Sequence, residues 1–144
     1  MELLIVIIIL GMLAALVLPG LMETKEKAEV DLVCSQMASV ESALDMFKLD
    51  NGTYPQTEEK LQALITNPDP EKYQGYKKNG YFKNGAMPTD SWKQEFVYIY
   101  DEESGIFELV SFGTDRKEGG KDYASDILFS GCHGKKKNKE DIEE

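Results

Sequence analysis

No lysine or arginine occurs before Lys25, and the chain carries a single histidine, a single tryptophan and two cysteines. Each scarcity excludes something. With no basic residue ahead of the apolar N-terminus, the bias that orients membrane helices has nothing to count on that side. A secretory signal peptide, which opens on a basic region and closes on a small-residue cleavage site, is disfavoured as well. The sequence contains no phosphate-binding glycine loop, no HExxH pair and no Ser-His-Asp set, so nothing in it points to an enzyme. Positive charge is also short overall: 16 Lys and Arg face 26 Asp and Glu, a formal net charge of −10. That balance argues against nucleic acid, whose phosphates demand a basic face, and suits solubility, cation binding or a basic partner.

What is present is a long uncharged apolar run, Leu3 to Met22, made mostly of Leu, Ile, Val, Ala and Met. As a helix it is about 30 Å long, the thickness of a bilayer's hydrocarbon core. It continues into charged sequence rather than into a cleavage site, so a retained anchor is favoured over a cleaved leader. Beyond it, Val30, Val33, Met37, Val40, Leu44 and Phe47 keep spacings of three and four, one apolar stripe on a helix, with Glu26, Glu29, Asp31, Glu41 and Asp45 mostly off it. Asp50-Asn51-Gly52 supplies the stop. The pattern predicts one helix to Asn51, its first half in lipid and its second lining a small domain. Gly11 and Pro19 are its expected weak points, a helix break being the reading for Pro19, although both residues are ordinary in membrane helices.

The rest divides at turn signals. Thr57 is placed to cap a short helix over Glu58 to Ile65, ended by Asn67-Pro68-Asp69-Pro70. Residues 71–95 read as loop, with turns at Asn79-Gly80 and Asn84-Gly85. Phe96 to Tyr100 and Ile106 to Val110 read as strands joined through Asp101 to Gly105, and Ile127 to Phe129 as a third. The tail, 131–144, runs from Lys-rich to acidic and is expected to be disordered. The expected organisation is therefore a helix segment 1–22, a domain 23–130 and that tail.

Three features carry chemistry. Glu2 costs about 2.5–3.5 kcal/mol if driven to mid-bilayer but little at the membrane edge, where the helix N-terminus welcomes a carboxylate. It either rests at that edge or pairs with a cation on a neighbouring subunit. The loop from Ser111 to Asp126 brings four carboxylates and Gly113, Gly119 and Gly120, the oxygen-rich, turn-permissive composition that hard cations need. It is not an EF-hand, and Arg116, Lys117 and Lys121 dilute its charge, so a plain solvated loop is the competing reading. Cys34 and Cys132 either pair outside the cytoplasm or leave Cys34 buried and free. Cys132-His133 lacks the further ligands of a haem or zinc site.

The run Met1-Glu-Leu-Leu-Ile-Val-Ile-Ile-Ile-Leu-Gly-Met-Leu-Ala-Ala-Leu-Val-Leu-Pro-Gly-Leu-Met22 resembles the N-terminal segment of type IV pilins and pseudopilins, with Glu2 on that family's glutamate. Family chains begin a few residues earlier with a methylated phenylalanine, after a basic leader cut by prepilin peptidase. The resemblance thus implies that this chain starts inside the segment. Ser42 to Pro55, Leu61-Gln-Ala-Leu64, Pro88-Thr-Asp90-Ser-Trp92, Ser111-Phe-Gly-Thr-Asp115, Gly119-Gly120 and Asp126-Ile127 are similar to the major pseudopilins of the type II secretion system.

That resemblance implies an α+β pilin-like fold, a long N-terminal helix packed on a small antiparallel sheet. It also implies a single-pass protein of the bacterial inner membrane whose domain lies in the periplasm. The implied partners are copies of itself, minor pseudopilins, the inner-membrane assembly platform and the secretion ATPase complex; Glu2 is the implied assembly contact. It further implies calcium in the loop 112–126, with side-chain oxygens from Asp115 and Asp126 and carbonyls from Phe112 and Lys117. Ser125 stands where an aspartate is usual, with Asp122 a substitute donor. Asp90-Ser91-Trp92 departs from the usual Asp-Pro-Trp, a looser turn. A type IV pilus pilin, used for adhesion, motility or DNA uptake, is the alternative filament. A monomeric anchored binding module is the alternative from another class.

Overall fold

The computed structural model describes residues 2–121 and 124–133. Helix α1 spans Glu2–Asn51. Two short 3-10 turns follow, Thr57–Glu59 and Leu61–Leu64, then strands β1 (Val97–Asp101) and β2 (Ile106–Ser111), a third 3-10 turn (Gly113–Asp115) and β3 (Ile127–Leu128). Residues 129–133 form one further helical turn. The strands make an antiparallel sheet in the order β1-β2-β3.

The expected stripe on α1 is the core. Val33, Met37, Val40, Leu44 and Phe47 are wholly buried, each contributing about 2 kcal/mol by leaving water. Tyr98 and Leu109 meet them from the inner face of the sheet, and Leu61, Leu64, Tyr73 and Phe129 close the sides. Val30 is only half-buried, so the grip on α1 begins later than the boundary at residue 23 expected from composition. Among the described residues its lowest polar tether to the domain is the Ser91 hydroxyl, which donates to the Glu29 carbonyl at 2.8 Å. From Leu3 to Val17 every large apolar side chain is at least half exposed, from 51 % at Ile9 to 79 % at Leu16.

Helix α1 passes Gly11 and Pro19 without interruption, so neither divides it. A proline removes one backbone donor, and the hydrogen bonds of the flanking turns carry the helix past it. The stop lies where the sequence puts it: Gly52 takes φ +83° and its N–H donates to the Lys48 carbonyl at 2.7 Å.

Other expectations are corrected. The helix over 58–65 is two 3-10 turns, and Thr57 does not cap it. Instead, the Thr57 hydroxyl accepts from Tyr100 N–H (2.9 Å) and donates to the Tyr100 carbonyl (3.1 Å), satisfying the free edge of β1. The first strand lies one residue later than read. Phe129 belongs to the last helical turn rather than to β3, and residues 131–133 continue that turn instead of opening the tail. The remainder of the tail lies outside the described residues.

Buried phenols give the fold an alkaline limit. Burial, aided by donation to Asp45, pushes Tyr54 up to about 12, and burial pushes Tyr76 to about 12 as well. Tyr98, 5 % exposed and donating to the Pro55 carbonyl, is raised further by the same cause. The unfolded phenol titrates near about 10, so the folded state retains protons that the unfolded state has lost above that pH. The stabilisation is complete below about pH 10 and is lost as pH rises through about 12. The melting temperature is therefore expected to be level up to about pH 9.5 and to fall steadily between about pH 10 and 12; an unchanged value at pH 12 would refute this.

Candidate cation loop and its brace

The loop between β2 and β3 is anchored at its start by a buried polar brace. Asp90 is 3 % exposed. Its Oδ1 accepts from Trp92 N–H (3.0 Å) and Gln94 N–H (2.9 Å), and its Oδ2 accepts from the Ser111 hydroxyl (2.7 Å). Gln94 Nε2 then donates to the Gly113 carbonyl at 3.3 Å, and Arg116 to the Trp92 carbonyl at 3.3 Å. Segment 90–94 thus fixes the sheet end and the first loop turn together. Ser91, where the family resemblance expects proline, ties the same segment down to α1.

Within the loop, Asp115 closes its own turn, Oδ1 accepting from Lys117 N–H at 3.1 Å while Arg116 adopts a left-handed φ of +60°. Asp126 Oδ2 accepts from Gly119 N–H at 2.9 Å. Asp126 Oδ1 is buried and, among the described residues, has no hydrogen-bond partner. Gly120, at φ +105°, is forced to be glycine: a Cβ there would collide with the Ala124 carbonyl and come within 3.1 Å of Asp115 Oδ2. Asp115 and Asp126 therefore bracket the same glycine pair.

This arrangement fits a hard cation. It offers a buried carboxylate oxygen of Asp126 without a partner among the described residues, and, at the adjoining Gly120, the Asp115 carboxylate and the Ala124 backbone carbonyl, all oxygen donors. The contacts bring together Asp115, Asp126, Gly119, Gly120 and Ala124. They do not place the Phe112 and Lys117 carbonyls on that group, although both residues lie in the same loop. Ser125 is half-buried beside Asp126, and Asp122 lies outside the described residues. Among the described residues no three His, Cys, Asp or Glu side chains gather, so any cation here must draw on neutral oxygens as well.

Two features escaped sequence reasoning. Ala124 carries no chemical signal, since only its backbone matters; the neighbouring Gly119-Gly120 pair was the available clue. The pairing of Cys34 with Cys132 was open, and the structure closes it: the two form a disulfide across 98 residues. His133, read as a solvated tail residue, is exposed and meets the Phe129 ring edge-on at 4.5 Å.

A bare apolar helix gripped at its far end by a small antiparallel sheet is the architecture of pilin-like filament subunits. A family model described as type II secretion system (T2SS), protein G, matches residues 20–130. Type II secretion system core protein G of Escherichia coli K12 is 41 % identical over 138 residues, covering 95 % of this chain and 92 % of that one. The Vibrio cholerae O1 protein of the same name is 37 % identical over 127 residues, covering 88 % and 86 %. A crystal structure of the major pseudopilin from the type 2 secretion system of enterohaemorrhagic E. coli superposes with a TM-score of 0.62 at 32 % identity, over 76 % of this chain and 93 % of the other.

The chain belongs to the type II secretion system protein G family, the major pseudopilins, and is a structural subunit rather than an enzyme. The relatives decide between the two filament readings in favour of the pseudopilin over the pilus pilin.

The brace is expected to be a stability determinant. Asp90→Ala strands three donors in a buried setting and should cost about 3 kcal/mol in urea unfolding. A loss below about 1 kcal/mol would show that the brace is dispensable.

Proposed function

We propose that this chain polymerises with copies of itself into a periplasmic pseudopilus, which grows from the inner membrane and drives protein export across the outer membrane. The observation that carries this reading is the bare stem. A helix whose apolar half is left uncovered by the described residues is suited to burial by lipid or by other helices, and it can exchange the one for the other. Among the described residues α1 is the one helix long and apolar enough to cross a membrane. Single-pass insertion with the domain on the periplasmic side follows from the family reading. So do minor pseudopilins, the assembly platform and the secretion ATPase complex as partners, and prepilin peptidase acting on the precursor.

In this scheme Glu2, exposed in the first turn of α1, meets the N-terminal amine of a neighbouring subunit as the helices bundle. Within an apolar filament core an unpaired carboxylate is costly, so the pair fixes the axial register of incoming subunits. Glu2→Ala in cells assembling filaments is expected to lower filament yield at least about tenfold while leaving the chain in the membrane. Normal yield would remove Glu2 from this role.

The loop is proposed to hold calcium, which would supply positive charge to the Asp115 and Asp126 carboxylates at the Gly119-Gly120 pair. Asp115 and Asp126 would be the anionic ligands. Carbonyls of Phe112 and Lys117, and oxygens of Ser125 or Asp122, are candidates to complete the set. The orphaned Asp126 Oδ1 supports this. A ligand that binds the folded state alone stabilises it by about 2.7 kcal/mol at a hundredfold excess over Kd. Calcium should therefore raise the melting temperature of the full chain in detergent by at least about 5 °C over chelator, and Asp126→Ala should abolish the rise. An equal melting temperature with and without calcium would refute the assignment.

A further inference from the structure

The disulfide sits at a junction between the loop and the stem. Cys34 follows Val33, the lowest wholly buried residue on α1, and Cys132 lies on the helical turn directly after β3. Strand β3 is only two residues long, paired through Val110↔Leu128 and Ser111↔Ile127, and Asp126 immediately precedes it. A two-residue strand is a weak hold by itself. Besides the disulfide, the segment is held by Ser130 N–H donating to Glu108 Oε1 at 3.0 Å, and by the buried Phe129 ring stacked on Phe107 with centroids 6.4 Å apart. The covalent tie is the strongest of these, and it lies six residues from the carboxylate whose second oxygen is orphaned.

We propose that the Cys34–Cys132 bond is a redox-set clamp on the cation loop, so that the disulfide form binds calcium more tightly than the dithiol form. This rests on the calcium reading above. In the oxidised chain Asp126 is fixed from both sides, through Gly119 by the loop and through β3 by the clamp. In the reduced chain β3 and the last turn open locally, and Asp126 must be reordered at the cost of binding free energy. Reduction proceeds by thiolate attack of an external dithiol on one sulfur, which expels the other as a thiolate. The reductant's second thiol then displaces the mixed disulfide. The reductant leaves as a cyclic disulfide, and the two cysteine sulfurs gain two electrons and take up protons from water.

Coupling of this kind is reciprocal. Whatever factor oxidation adds to calcium affinity, saturating calcium adds to the stability of the disulfide.

The test is calorimetric titration of the full chain in detergent micelles with calcium chloride, comparing the disulfide form, the dithiothreitol-reduced form and the C34S/C132S variant. Reduction and substitution are each expected to weaken affinity at least about tenfold, with the helical circular-dichroism signal retained. Saturating calcium should then lower the disulfide's equilibrium potential against glutathione by at least about 30 mV, the two-electron equivalent of tenfold. That measurement needs only the native chain and stands even if the serine variant fails to fold. Equal affinities with an unmoved potential would overturn the clamp while leaving the calcium site intact. No calcium binding by any form would overturn both. Loss of helix on reduction of the native chain would also overturn the clamp, because the effect would then be global unfolding.

Discussion

The structure depends on a single helix being asked to live in two solvents. The upper part of α1, from Val33 to Phe47, packs its apolar stripe against the chain's own sheet and loops, while the part from Leu3 to Val17 is covered by none of the described residues. Everything else answers that division. The sheet is small because it has only one helix face to cover. Segment 90–94 and the disulfide both fasten to α1 at its lowest gripped level, Glu29 to Cys34, where the domain would otherwise peel away from the stem. An isolated subunit with this much apolar helix exposed is suited to lipid or to other helices, so a membrane-spanning stem and filament assembly would draw on the same unburied surface.

The rest of the domain is organised around holding a short third strand in place. β3 has two pairing residues, yet it carries Asp126 into the loop and Cys132 towards α1. Three devices compensate for its brevity. Asp90 locks the end of β2 through Ser111; Glu108 accepts from Ser130; and the disulfide closes the far side. Loop, strand and last helical turn therefore form one mechanical unit, and a change at one end of it is felt at the other.

Much of this was legible in the sequence where the signal is periodic or steric. The 3.6-residue stripe gave the buried face of α1, Asp50-Asn51-Gly52 gave its end, and alternating strands around Asp101 to Gly105 gave the hairpin. Features carried by backbone or by long-range pairing were not legible. Thr57 looks like a helix cap, but its hydroxyl is spent on the edge of β1, a partner 43 residues away that no local pattern announces. Ser91 reads as a weakened turn, yet in space it becomes a tether to α1. Pro19 reads as a break, because sequence shows the missing donor and not the flanking turns that span it. In the loop, the carboxylates and glycines were visible as composition, whereas the approach of the Ala124 carbonyl to Gly120 depends on the folded path.

The central claim is that the exposed stem is covered by other copies of this chain. Site-specific photo-crosslinkers at Ile9 and Leu13, both about half exposed, read that directly in membranes of cells assembling the filament. Adducts between copies of this chain are expected at both positions once assembly is under way. Adducts with lipid alone, under conditions where filaments form, would contradict it.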